Sequence, residues 1–252
     1  MIQPKHSKRF GRYFHETDHN YLKFLCPPGS RVLLLGCGVG ELLAALSPIF
    51  GVGVDASPAN IVKAKESYPH LEFLSLNIED QGVTNKLITR GPFDYIVLNE
   101  TLGHLGDIQI FLEGLRSLMT SNSRVISTYY GYLWSPILRL AELLGLRSLS
   151  PNTTWLRMDD VENLFTLSGF EIVKREWRIL VPFRMLGIGK FFNRYLATLP
   201  LIRKFSLRHY LVARYPFQAV KDRAVSVVIP CRNEAGNIES AIKRLPQMGT
   251  HT

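Results

Sequence analysis

The stretch VLLLGCGVGELL sets Gly36, Gly38 and Gly40 between an apolar run and the start of a helix. Glycines are required where backbone must turn tightly and come close to a ligand, and the helix N-terminus behind them favours negative or hydrogen-bond-accepting groups. Asp55 ends the next apolar run, 19 residues after Gly36. A carboxylate there can accept both hydroxyls of a ribose, or it can cap the helix that opens in DASP. The third chemically capable stretch is NETLGHLGD, residues 99–107, which carries Asn99, Glu100 and His104. His104 is a candidate general base because imidazole titrates near neutral pH. The competing reading is a histidine that packs its loop against the following helix.

These residues need elements to hold them. Apolar runs at 31–36, 51–55, 71–76, 93–98 and 124–130 read as strands buried on both faces. Helical stretches at 41–46, 58–67, 84–88 and 108–119 separate them, and this alternation predicts a doubly wound, mostly parallel α/β sheet. Such sheets bind ligands at the carboxyl ends of their strands, where the strand order reverses. Beyond residue 130 the rhythm changes. An apolar helix is expected over 133–147. A second helix follows, capped by Asp159 or Asp160 and closed by Gly169. Further strands are expected at FEIVKREW and 208–215.

The glycine spacing leaves two ligand classes open. Nicotinamide enzymes usually carry GxGxxG, whereas this chain has GxGxG with Glu41 in the sixth place. Together with GVDASP, FLSLNIED, FDYIVLNETLGHL and LRSLMTSNSRVI, the pattern resembles the class I S-adenosylmethionine-dependent methyltransferases over about residues 13–215. The resemblance implies a Rossmann-like seven-stranded sheet and S-adenosyl-L-methionine as cofactor. It also implies that Gly36, Cys37, Gly38 and Gly40 contact the methionine and ribose portions, and that Asp55 and Ala56 take the ribose side. Asn77 stands where the family usually has an Asp reading the adenine amine. Ile78 would offer its backbone N–H to the ring, and Asn99 would line the methionine end. The family usually has an acidic residue two positions before the first glycine; here that position is Leu34. This departure keeps open a methyltransferase-like module without activity, alongside an active enzyme and a nicotinamide oxidoreductase.

Composition narrows the setting. The 252 residues include three cysteines, Cys26, Cys37 and Cys231, without disulfide or metal-ligand spacing, which fits a reducing, cytoplasmic location and no metal. No targeting segment and no membrane-spanning run is evident. The net charge of +9 is concentrated: residues 174–223 hold twelve Lys and Arg against Glu176 and Asp222, so a nucleic-acid signature is not read from it. Within 178–207, Ile188, Phe191, Phe192, Tyr195 and Leu196 make one apolar helical face flanked by Lys190 and Arg194, with Arg203, Lys204 and Arg208 behind. This insertion either docks on its own domain or lies peripherally on an anionic inner-membrane face. The stretch 133–147, rich in Tyr, Trp and Leu, reads as a lid over a small or lipid-linked, sugar-bearing acceptor, or as packing against the sheet edge.

The last stretch, VSVVIPCRNEAGNIESAIKRLP, reads as a strand at 225–229, a turn and a helix from about Asn237. It resembles the first βα unit of family-2 glycosyltransferases that use polyprenyl phosphates, through Pro230, Asn233 and Glu234. The resemblance implies a methyltransferase domain at 1–215, a linker at 216–224 and the truncated, inactive start of a covalently linked glycosyltransferase at 225–252.

Overall fold

The structure is a computed structural model and describes residues 7–80, 82–144, 154–182, 188–196, 199, 202–217, 227–228 and 235–244. The chain divides into two compact units, Met1–Tyr215 and Pro216–Thr252.

The first unit opens with helix α1, Ser7–Leu25, which the sequence reading left unassigned. Alternating elements follow: β1 Arg31–Leu35, α2 Glu41–Ala45, β2 Phe50–Asp55, α3 Pro58–Ser67, β3 Glu72–Ser75, α4 Val83–Ile88, β4 Phe93–Asn99, α5 Ile108–Leu115 and β5 Met119–Tyr130. The expected helix at 108–119 is therefore shorter, because Met119 already pairs with Phe93 in the sheet. Next come α6 Ser135–Leu143, α7 Met158–Leu167, β6 Glu171–Arg178, α8 Ile188–Tyr195 and β7 Arg208–Arg214. Asp159 and Asp160 lie inside the first turn of α7 rather than before it. Asp160 accepts the Arg157 backbone N–H at 3.1 Å, so the carboxylate satisfies the chain entering the helix from within. Gly169 ends α7 with φ +78°, as expected.

All seven strands form one sheet in the order β3-β2-β1-β4-β5-β7-β6. The first five are parallel; β7 runs antiparallel between β5 and β6. Because β1 has β2 on one side and β4 on the other, connections diverge there and open a crevice at the carboxyl ends. Alternate residues of each strand feed opposite faces. Leu33, Leu35, Ile96, Leu98, Val125 and Leu211 pack with Phe111, Leu112 and Leu115 of α5 and with Val161 and Phe165 of α7. Leu34, Val97, Ile126, Tyr210 and Val212 pack with Tyr21 and Leu22 of α1, Leu42 and Leu43 of α2 and Ile61 of α3. Each such side chain withdrawn from water contributes about 1.5–3 kcal/mol, which is why both faces must be covered. A third cluster, Phe14, Ile179 and Leu207 with Tyr130, Trp134 and Leu138, closes the carboxyl end beyond β5.

In the second unit, helix α9 spans Ala235–Lys243, two residues ahead of the expected start. Of the strand expected at 225–229, Val227 and Val228 are described and neither lies in a strand; the rest, with Pro230, Asn233 and Glu234, falls outside the described residues.

All three buried clusters draw on the first unit alone. A chain ending at Phe217 should thus unfold cooperatively with a melting temperature within a few degrees of the full chain. Loss of the cooperative transition in calorimetry would place the removed residues in the first unit's core.

Candidate functional site

The glycine turn is built by backbone pairing with β2. The N–H groups of Gly36 and Cys37 both donate to the Val54 carbonyl, at 2.9 and 3.0 Å. The three glycines have distinct duties. A Cβ on Gly36 would stand 2.6 Å from the Asn99 carbonyl oxygen and 2.8 Å from the Thr101 methyl, so only glycine lets the β1 and β4 ends meet. Gly38, at φ +52°, has nothing within 4 Å of its Cβ direction and faces open space. Gly40 packs against the Phe73 ring, a structural duty distinct from ligand contact.

Asp55 holds this turn in place. Its Oδ2 accepts the Gly38 N–H at 2.8 Å, and its Oδ1 accepts the Ser57 N–H at 2.9 Å and the Asn60 side-chain amide at 3.2 Å. The cap of α3 is Ser57, whose hydroxyl accepts the Asn60 N–H. Asp55 supports that cap and braces the glycine turn. Three of about four lone-pair positions on the carboxylate are thus filled. Beside it, Ala56 is exposed. Asn77 is exposed, its Oδ1 accepting the Glu79 N–H, while Ile78 leans on the core. Glu79 accepts the Gly106 N–H at 2.9 Å and so ties the loop after β3 to the loop after β4.

His104 ends a 3-10 turn, Leu102–His104, and its side chain is exposed. The imidazole is therefore not buried between its loop and the following helix. Cys37, by contrast, is buried, and burial followed by the Asp55 charge pushes its thiol up to about 12, which keeps it protonated and unreactive. Leu34 is fully buried in the apolar cluster under α1 and α2, with no charge at that position.

The most consequential polar group is one the sequence reading placed elsewhere. The sequence offers Arg208 as part of a basic surface, solvated or against a membrane, yet its side chain is 1% exposed. Its Nε donates to Asp18 Oδ1 at 3.0 Å and its Nη2 to Asp18 Oδ2 at 3.2 Å. Nη1 donates to Glu100 Oε1 at 2.8 Å, and Nη2 also reaches Asn99 Oδ1 at 2.8 Å and Thr128 Oγ1 at 2.9 Å. Tyr210 donates its hydroxyl to Asp18. The carboxylates outweigh the desolvation that opposes its charge, so Arg208 stays protonated. No local pattern announces this contact, since Asp18 and Arg208 are 190 residues apart.

The profile of a methyltransferase domain family matches residues 6–175. The chain belongs to this family. Among curated proteins, the chain is 24% identical over 178 residues to a ubiquinone biosynthesis O-methyltransferase of Nitrobacter winogradskyi, covering 66% of each chain. It therefore spans just under two thirds of that relative's length. Among solved structures, it superposes on the methyltransferase complexed with the Haloferax volcanii Trm112 activator with a TM-score of 0.60, at 16% identity and covering 86% of this chain and all of that one. The magnesium protoporphyrin IX methyltransferase of Synechocystis PCC 6803 with bound SAH gives a TM-score of 0.57 at 16% identity, covering 85% and 89%. These likenesses fix the Rossmann-like class I methyltransferase fold.

His209, next to Arg208, is buried against Tyr129 and Trp177, and the Ser206 backbone is the one group that favours its charged form. Burial, with the Arg208 charge beside it, lowers its pKa to about 4. The unfolded chain protonates this group near 6.5 and the folded chain only near 4, so its contribution is complete above pH 6.5 and is lost on acidification through that window. Between pH 7.5 and 5 the loss should be about 2 kcal/mol. Urea unfolding of His209→Phe at the two pH values should show that much less pH dependence than the wild type.

Proposed function

We propose that this methyltransferase binds S-adenosyl-L-methionine and transfers its methyl group to a hydroxyl of a small or lipid-linked acceptor, sugar-bearing ones included. The observation that carries the reading is the Gly36–Gly40 turn, with Gly38 facing open space and braced by Asp55 at the β1–β4 crevice. When bound, the cofactor supplies an electrophilic methyl group. The chain's own task is then alignment and proton removal. In this reading Gly38 and Asp55 seat the ribose, Asn77 and the Ile78 N–H flank the adenine, and Asn99 borders the methionine end. His104 takes the acceptor's proton. The O-methyltransferase name of the Nitrobacter relative supports an oxygen acceptor.

Leu34 and the filled Asp55 carboxylate favour one second reading, a module that binds without turnover. Calorimetry separates the cases. S-adenosylhomocysteine should bind and NAD should not, and Asp55→Ala should cost about 1.5–3 kcal/mol of binding, the scale of hydrogen bonds to a charged group. Tighter binding of NAD would remove the methyltransferase reading. Binding with no methyl transfer to a panel of phenolic and lipid-linked hydroxyls would favour the inactive module.

We also propose a peripheral anionic-membrane contact, so that a lipid-linked acceptor reaches the crevice edge. No helix among the described residues is long and apolar enough to cross a membrane. Helix α6 leaves Ile137, Leu140, Leu143 and Leu144 at 54%, 56%, 84% and 64% exposure, while Leu138 alone joins the cluster around Phe14. The adjoining turn Ile202–Phe205 is tied to α6 by the Trp134 indole, which donates to the Phe205 carbonyl at 2.7 Å. It presents Phe205 and Lys204. Arg203 lies over the Trp177 ring. In α8, Phe192 and Tyr195 are exposed; the side chains of Ile188, Lys190, Phe191 and Arg194 lie outside the described residues. Because Arg208 is buried, the described basic groups of this turn are the half-buried Arg203 and the exposed Lys204, with Arg139 exposed on α6. Replacing Arg203 and Lys204 with Gln should weaken salt-sensitive sedimentation with phosphatidylglycerol vesicles by about 1 kcal/mol per charge. Equal partitioning to neutral vesicles would rule out the electrostatic contact.

For residues 225–252 the proposal remains the start of a glycosyltransferase unit. It rests on Pro230, Asn233 and Glu234 alone.

A further inference from the structure

S-adenosylmethionine carries two positive charges at its methionyl end, the sulfonium and the α-ammonium, and one negative charge, the α-carboxylate. A carboxylate placed near the ammonium and the sulfonium offsets the net positive charge and accepts from the ammonium. The β1 side offers none, because position 34 is a buried leucine. Asp55 stands across the turn on the β2 side with three hydrogen bonds already accepted. Glu79 belongs to the loop after β3, outside the β1–β4 pair, where it accepts the Gly106 N–H.

The β4 side is different. The residues directly after Asn99, whose carbonyl abuts Gly36, are Glu100 and Thr101. Glu100 sits at φ +58°, in the left-handed region unusual for a non-glycine residue, with its N–H donating to the Thr128 carbonyl at 2.9 Å. Its side chain is 34% exposed, and only one of its two oxygens meets Arg208. Arg208 does not cancel that charge, since the same guanidinium is held by both oxygens of Asp18. Two carboxylates around one guanidinium leave one negative charge over. Asp18 is 3% exposed and already accepts two hydrogen bonds from Arg208 and one from Tyr210, so of the two carboxylates it is Glu100 that solvent or a ligand can reach. A second polar group in the same turn lacks a partner: the Thr101 hydroxyl is buried without a hydrogen bond, while its methyl lies against Gly36.

We propose that Glu100, oriented by Arg208, is the counter-charge for the cationic methionyl end of the cofactor, taking over from the β4 side the role that Leu34 cannot fill from the β1 side. The inference rests on the S-adenosylmethionine reading above. It explains how a family member without an acid at position 34 has a charged partner for its ligand, and gives the buried Arg208 a role in orienting Glu100.

The test compares ligands that differ only at the charged end. S-adenosylhomocysteine keeps the ammonium, S-adenosylmethionine keeps both charges, and 5′-methylthioadenosine lacks the amino-acid end altogether. Calorimetry on the full chain should show that Glu100→Gln weakens the first two roughly tenfold or more, in line with losing a hydrogen bond between charged groups. Methylthioadenosine binding should stay within twofold. Glu100→Asp, which keeps the charge and tolerates the left-handed backbone, should retain most of the preference for the charged ligands. An equal loss for all three ligands would mean that Glu100 only supports the fold of the turn, and would overturn the inference. So would unchanged binding of S-adenosylhomocysteine to Glu100→Gln. Both outcomes leave the cofactor reading standing. A wild-type chain that binds neither S-adenosylhomocysteine nor methylthioadenosine removes that reading and the inference with it.

Discussion

A guanidinium cannot be buried without partners, and Arg208 is buried at the carboxyl end of the sheet. Meeting that requirement brings together Asp18 from α1, Asn99 and Glu100 from the end of β4, Thr128 from β5 and the neighbouring Tyr210. Much of the site's geometry follows from this one group. Helix α1 must lie with Asp18 inward, which places Tyr21 and Leu22 over the β1–β4–β5 face. Glu100 must turn back toward Arg208, and that reversal gives the strand end its left-handed backbone.

The opposite wall of the crevice is set by backbone and packing instead of charge. Gly36 meets the Asn99 carbonyl because no side chain intervenes, and Asp55 holds the turn through the Gly38 N–H. The same carboxylate takes the Ser57 N–H and the Asn60 amide, so one side chain ties the glycine turn to the start of α3.

Beyond the crevice the fold leaves two kinds of surface. The α3 side is ordinary and polar, capped by Ser57 and tied through Glu79 to Gly106. The α6 side is apolar, with Ile137, Leu140, Leu143 and Leu144 outward.

The sequence by itself determined the alternation of apolar runs, the parallel sheet it implies, the glycine turn, Asp55 at the tip of β2 and the helix at 188–195. These are local facts, written in periodicities of a few residues and in glycine spacing, so they survive without knowledge of the rest of the chain. It also marked the absent charge at position 34. Tertiary structure decided what those residues do. Whether Asp55 caps a helix or braces a turn depends on which N–H groups come near. Whether His104 packs or stays exposed depends on what covers the loop after β4. Arg208 reads as one more basic residue in a basic segment until Asp18 arrives from the other end of the chain. Pairing across 190 residues leaves no periodic trace in sequence, because a buried charge is specified by its partners in space.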